Sequence, residues 1–288
     1  MLKTRIITAL VSLLIVLIAL FAFPDWGWGL FTLIIVLAAC WEWSRFCALS
    51  APWNSIYLLL TLVLSAIILF SYLQGSSVGV EFGLLKLAGF ALAAFFWLLL
   101  APLWLARSWR PGSSALRAAA GWLVIFPTWF AFLSLREVSP WLLLSFAAIV
   151  WVADIAAYFV GRRFGRHKLA PAISPGKTLE GAAGALVGVM LFFFAWQYLI
   201  AHSAVRSQDW VRELQSHGWI LFALFMLLAV MAVVGDLFES WMKRGAGMKD
   251  SSNLLPGHGG ILDRIDALTA TLPLAGLYVT LMARTHAG

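Results

Sequence analysis

Nine apolar runs, each close to the ~20 residues a helix needs to cross some 30 Å of hydrocarbon, constrain this chain more than any other feature. Their approximate limits are Ile6–Phe23, Trp28–Phe46, Ser55–Tyr72, Leu84–Leu105, Ala115–Leu135, Trp141–Val160, Leu179–His202, Trp219–Met242 and Ile265–Ala283. The predicted fold is an all-α polytopic membrane protein with about nine transmembrane helices. A soluble chain of 288 residues would form one large domain or two, but a mean hydropathy of +0.92 with 16 Trp and 21 Phe lies far outside that class. The first run follows Lys3 and Arg5 and could pass for a secretory signal. It exceeds the usual apolar length of about 7–15 residues and meets no small-residue cleavage site before Pro24, so it reads as a first span.

The net charge of +7 does not call for nucleic acid, because cations of membrane proteins collect on the cytoplasmic side and meet anionic membrane lipid. With the N-terminus inside, the 20 Lys and Arg divide 15 to 5 in favour of the cytoplasm. Only Lys86, Arg136, Arg206, Arg212 and Arg284 fall outside. That bias predicts an integral protein of the cytoplasmic (inner) membrane, with its C-terminus out. The longest extramembrane segments, about 161–178 and 243–264, both face the cytoplasm in this arrangement. Cys40 and Cys47 lack a CxxC or histidine-rich partner and read as ordinary free thiols. Residues 1–140 then form an N-terminal set of about five spans. Residues 141–288 form the C-terminal catalytic region with the two cytoplasmic loops.

Polarity concentrates in those two loops and the helix ends beside them. Asp154 lies within an otherwise apolar span, where a carboxylate costs a few kcal/mol on insertion scales and must face protein, water or a cation. Tyr158, one turn on, could donate to it, either as helix glue or as part of a binding site. The following loop carries Arg162, Arg163, Arg166 and Lys168, and ends in Ser174-Pro175-Gly176-Lys177-Thr178 at a predicted helix start. Gly176-Lys177-Thr178 invites a P-loop reading, but Pro171 stands where that pattern needs glycine. What remains is an anion site made from helix-start N–H groups and Lys177, against the simpler reading of a basic loop on lipid headgroups.

In the eighth span Asp236, Glu239, Ser240 and Lys243 share one helical face. Asp263 and Asp266 lie one turn apart at the start of the ninth. Between them Arg244, Lys249, Asp250 and His258 flank Gly257, Gly259 and Gly260, which permit close backbone approach to a phosphate. Two acidic faces bracketing a basic loop suit Mg²⁺, which retains water and substrate phosphates as ligands. The alternative is a structural salt-bridge network at the helix ends.

The run Ser240-x-Met242-Lys243-Arg244-x4-Lys249-Asp250-x-Ser252-x2-Leu255-Pro256-x-His258-Gly259-Gly260-Ile261-x-Asp263-Arg264-Ile265-Asp266 resembles the signature of phosphatidate cytidylyltransferases, the CDP-diacylglycerol synthases. Asp154-x3-Tyr158-x2-Gly161-Arg162-x-Phe164-Gly165 and Ser174-Pro175-Gly176-Lys177-Thr178-x-Glu180-Gly181 are similar to further blocks of that family. The likeness covers about Asp154 to Asp266; the first five spans carry only hydropathy. The resemblance implies transfer of the cytidylyl group of CTP to phosphatidate, giving CDP-diacylglycerol and pyrophosphate, with Mg²⁺, an accompanying K⁺ and a homodimer. It implies Asp236 and Asp263 as metal ligands, and catalytic roles for Lys177, Lys243, Arg244, Lys249, Asp250, His258, Arg264 and Asp266. Substrate contacts would fall to Asp154, Tyr158, Ser174, Thr178, Ser240, Gly259 and Gly260. Two other classes share some features. A cation-coupled transporter would also carry intramembrane acids, though no inverted repeat is visible. A polyprenol or lipid kinase needs the same metal and cations, and differs in nucleotide and product.

Overall fold

The computed structural model describes residues 2–74 and 79–285, with side chains over 7–74 and 83–282. The side chains of Lys3, Arg5 and Arg284, counted in the charge division, lie outside the described residues. The helices are α1 (Leu2–Ala22), α2 (Asp25–Ser44), α3 (Ala51–Leu73), α4 (Gly79–Phe95), α5 (Ala101–Ala106), α6 (Ser114–Val138), α7 (Pro140–Phe164), α8 (Leu179–Ala201), α9 (Asp209–Ser216), α10 (Gly218–Gly245) and α11 (Leu262–Thr285). Strands β1 (Lys168–Ala170) and β2 (Ser174–Thr178) lie between α7 and α8. Among the described residues eight helices are long and apolar enough to cross a membrane, and the apolar stretch of α1, Ile7–Ala22, is shorter. They fall where the apolar runs lie, so the chain is an all-α polytopic membrane protein. One of the eight joins α4 to α5 through a π-helical turn, Phe96–Leu100. That turn lies just before Pro102, whose missing N–H interrupts the i→i−4 ladder.

Long-range bonds define two ends of the bundle. At one, the Trp43 indole donates to Arg117 O (2.8 Å), the Arg45 guanidinium to Ser251 O (2.6 Å), and the Trp241 indole to Trp109 O (2.9 Å). The start of α6, the end of α10 and the α10–α11 connection therefore gather with the C-terminal end of α2. At the other, buried Arg136 of α6 donates to Asp25 at the start of α2 and to the carbonyls of Leu20 and Phe23.

Small residues set the helix spacing where the site lies. A Cβ at Gly184 of α8 would lie 2.5 Å from Val160 of α7, and one at Gly235 of α10 would meet Ala270 and the Asp266 carbonyl of α11 at 2.9 Å. Behind α10, Phe238 packs on Trp43, Phe96, Trp97 and Trp104 at ring separations of 5.3–6.4 Å. This apolar back presses the opposite, acidic face of α10 toward α7, β2 and α11.

Two elements have no counterpart in the sequence reading. The β1–β2 hairpin pairs Lys168 with Thr178 and Ala170 with Ser174 in antiparallel fashion. Pro175 and Gly176 make β2 a poor strand by propensity, so the hairpin rests on its tether. The Glu180 carboxylate accepts from the N–H groups of Arg166 and His167 and lies 2.7 Å from His167 Nδ1, while Leu179 N–H donates to His167 O. The connection 202–217, comparable in length to the two basic ones, carries α9, which buries Val211 and Leu214.

Candidate active site

The acidic face of α10 meets cations from two directions. Asp236 Oδ2 lies 2.7 Å from Lys177 Nζ of β2, and Ser240, one turn on, donates to Asp236 Oδ1 at 3.3 Å. Lys243, 9% exposed, is clasped between Glu239 of α10 and Asp263 Oδ1 of α11. Asp154, Asp236 and Asp266 lie within electrostatic range of one another, with Arg264 near Asp154 and Lys243 near Asp266. Helices α7, α10 and α11 and the hairpin thus bring Asp154, Lys177, Asp236, Glu239, Ser240, Lys243, Asp263, Arg264 and Asp266 into one cluster.

The hairpin's part differs from a helix-start anion site. Lys177 sits in β2 and reaches Asp236, while the Thr178 hydroxyl accepts from Gly181 N–H at 3.1 Å and so caps α8. Leu179 N–H is taken by His167 O, so two helix-start donors are already engaged. Nor does Tyr158 donate to Asp154. Its hydroxyl instead accepts from Arg162 Nη1 at 2.8 Å, one turn further along the helix.

The α10–α11 connection is shaped by carboxylates. Asp263 Oδ2 accepts from Ser251 N–H (2.9 Å) and Gly260 N–H (2.8 Å). Gly259 has φ +81°, a left-handed conformation that favours glycine, and its carbonyl accepts from Leu255 N–H at 2.8 Å. A second acid comes from an unexpected place. Glu42 of α2, fully buried, accepts from Ser252 Oγ (2.5 Å) and Ile261 N–H (2.9 Å) on Oε1, and from Leu262 N–H (2.6 Å) on Oε2. Ser251 Oγ lies 3.0 Å from Glu42 Oε2 and 2.9 Å from Asp263 Oδ2, and its single proton serves one of them at a time. Sequence reasoning missed Glu42; the available signal was a lone carboxylate inside the apolar run Trp28–Phe46.

Two cavities open beside the cluster. One, of about 500 Å³, is lined by Asp154, Tyr158, Arg162, Ser174, Lys177 and Asp236 together with apolar Ala153, Ala157, Leu169 and Val233. The other, of about 740 Å³, is lined by Lys249, Asp250, Asn253, His258 and Arg264 along the glycine turn. His258 Nδ1 is buried without a hydrogen-bond partner. Arg244 is exposed at the end of α10, its guanidinium 3.4 Å from Met248 O.

Hard carboxylate oxygens outnumber the cations here, which suits a divalent ion such as Mg²⁺. Glu239, 3% exposed, has an oxygen that finds no hydrogen-bond donor. Among the described residues no three His, Cys, Asp or Glu converge enough to hold a metal by themselves. The donor set therefore fits an ion completed by water and substrate oxygens. Asp236, with Asp154 and Asp266 nearby, has an oxygen facing only the Ser240 hydroxyl; Asp263 Oδ1 faces Lys243, while its Oδ2 takes the Ser251 and Gly260 donors.

The sequence profile described as the cytidylyltransferase family matches residues 3–282. The phosphatidate cytidylyltransferase of Pseudomonas aeruginosa is 35% identical, over 95% of this chain and 95% of its own. That of Haemophilus influenzae is also 35% identical, over 95% and 96%. A Staphylococcus aureus protein of the same name is 40% identical over 129 residues, 45% of each chain.

Proposed function

The chain belongs to the cytidylyltransferase family, and on that premise we propose that it is a phosphatidate cytidylyltransferase, an integral membrane enzyme converting CTP and phosphatidate to CDP-diacylglycerol and pyrophosphate. The observation that carries this reading is the placement of two unlike cavities beside one cluster of acids and cations. The half-apolar cavity between α7, β2 and α10 suits a lipid phosphate whose chains stay in the bilayer. The polar cavity along the α10–α11 connection suits a nucleotide triphosphate. Arg264 lines the second and lies in electrostatic range of Asp154 in the first, so the two substrates would meet there.

An oxygen of the lipid phosphate attacks the α-phosphorus of CTP. The new P–O bond forms as the bond to the β-phosphate oxygen breaks, and its electron pair leaves with pyrophosphate. Both reactants are anions, so the protein's task is to neutralise and align them. Lys177 and Arg162 supply charge in the lipid cavity, with Ser174 and Tyr158 as hydrogen-bonding groups. Lys249 and Arg264 supply it to the triphosphate, Arg244 stands at the rim, and Asp250 borders the same space. His258 donates a hydrogen bond; an ionised phosphatidate needs no general base. Lys243 ties the α10 acids to Asp263 and so holds the connection against the cluster. Asp236, with Asp154 or Asp266 beside it, would hold Mg²⁺, which would supply positive charge to phosphate oxygens. Asp263 would reach that ion through Oδ1, beside Lys243, while its Oδ2 keeps the loop donors. The K⁺ and homodimer implied by the family complete the proposal, as does a cytoplasmic face for the site in the inner membrane. Purified protein given phosphatidate, Mg²⁺ and each nucleoside triphosphate in turn should form a nucleotide lipid with CTP and pyrophosphate in equal amount. A phosphorylated lipid made from ATP and diacylglycerol, or CTP-independent cation flux in vesicles, would replace this reading with the kinase or the transporter.

A further inference from the structure

We infer that Glu42 and Arg45 of α2 are positioning residues that pin the neck of the α10–α11 connection and thereby set its grip on the nucleotide phosphates. The inference rests on the nucleotide reading of the polar cavity. Glu42 bonds to Ser252 midway along the connection and to Ile261 and Leu262 at its end, with Ser251 Oγ alongside. Between these two holds runs most of the stretch that lines the polar cavity, from Asn253 to Gly259, with Lys249 and Asp250 just before the first hold and Arg264 just after the second. Arg45, one turn after Glu42, adds a bond from Nη1 to Ser251 O at 2.6 Å. A helix that contributes no lining residue to either cavity thus closes the base of the loop like a clasp.

The chemistry demands a carboxylate. Each Glu42 oxygen accepts one main-chain N–H and faces one serine hydroxyl. A hydroxyl can rotate to donate or accept, but a main-chain N–H cannot. Whichever way a glutamine side chain is turned, its NH₂ faces the N–H of either Ile261 or Leu262. Glu42→Gln therefore keeps volume and breaks the clasp. Gly260 shows how closely the parts fit: a Cβ there would fall on Ser251 Oγ and the Glu42 carboxylate.

The test uses purified full-length protein that makes CDP-diacylglycerol. Glu42→Gln should raise KM for CTP about tenfold or more, the scale of losing a buried charge-assisted bond, and leave KM for phosphatidate within about twofold. Exposed Arg45→Gln, which does not threaten the core, should raise KM for CTP about threefold, the scale of one exposed charge-assisted bond. Amide hydrogen exchange should rise across 251–262 in Glu42→Gln and stay unchanged in α7 and α8. Wild-type KM for CTP in a folded Glu42→Gln overturns the inference, even if its Tm has dropped, because the role is then structural. Should Glu42→Gln not fold, Arg45→Gln decides: wild-type KM for CTP and wild-type exchange at 251–262 overturn it. If the wild type makes no CDP-diacylglycerol, the functional reading fails separately, and unaltered loop exchange in Glu42→Gln would still overturn the clasp.

Discussion

Replacing Lys177 by glutamine separates an active-site cation from a merely membrane-attracted one. Its ammonium lies 2.7 Å from Asp236 Oδ2, and the two side chains are 24% and 31% exposed. Truncating one partner of a desolvated, hydrogen-bonded charge pair costs roughly 2–5 kcal/mol, and partial exposure places this pair at about 2–3. If that energy serves the transition state, kcat/KM falls by about 30- to 150-fold at 1.36 kcal/mol per decade. Arg163 is the control: an exposed cation of the same basic segment, 5.8 Å from the Phe164 ring. Its interaction with headgroups is diffuse and shared, so Arg163→Gln should cost no more than about threefold. Both variants would be assayed at equal protein in mixed micelles and then in vesicles of rising anionic lipid and falling salt. Lipid and salt should not rescue Lys177→Gln, because a close pair is poorly screened. Equal, mild defects in the two variants, or recovery of Lys177→Gln on anionic vesicles, would refute the reasoning.

Asp236→Asn keeps shape and removes charge; it should insert and fold normally yet lose about a hundredfold or more in turnover, the scale of losing a preorganised charge, read by initial rates across a Mg²⁺ titration. Near-normal rates would remove Asp236 from the metal site. Gly260→Ala should impair activity as strongly as Glu42→Gln because the added methyl meets Ser251 and Glu42, whereas Gly112→Ala, with open space around it, should behave as wild type. For orientation, Asn253→Cys should resist impermeant maleimide in intact cells while Ser207→Cys reacts; the reverse pattern overturns the cytoplasmic placement. The natural cysteines should stay silent in that assay, since both are fully buried and burial pushes the Cys47 thiol up to about 12, so no thiolate is available at neutral pH.

The spans were legible because a membrane helix writes its boundaries as uninterrupted apolar length, and α2, α8 and α10 begin or end within a few residues of the expected limits. The Asp236-Ser240 face of α10 was legible for a similar reason, a fixed helical period. Partnerships across the fold were not. Glu42 binds main-chain N–H groups more than 200 residues away, and a main-chain donor leaves no side-chain signature for sequence to display. The hairpin was hidden because its strand residues have low propensity and its order comes from Glu180, in the following helix. Nor did helix-face spacing show the loop donors of Asp263: closing a turn onto the helix start brings Ser251 and Gly260 to its Oδ2, a tertiary event that spacing does not encode.

The central claim is that the cytidylyl group passes from CTP to a lipid phosphate in this membrane site. CTP labelled separately at the α- and γ-phosphorus, incubated with purified protein, phosphatidate and Mg²⁺ and extracted into organic solvent, tests it most directly. The account predicts that α-label enters the lipid phase, that γ-label remains in water as pyrophosphate, and that Asp236→Asn slows entry of the α-label by about a hundredfold or more. Transfer of γ-label to lipid, or no lipid label from either position, would contradict it.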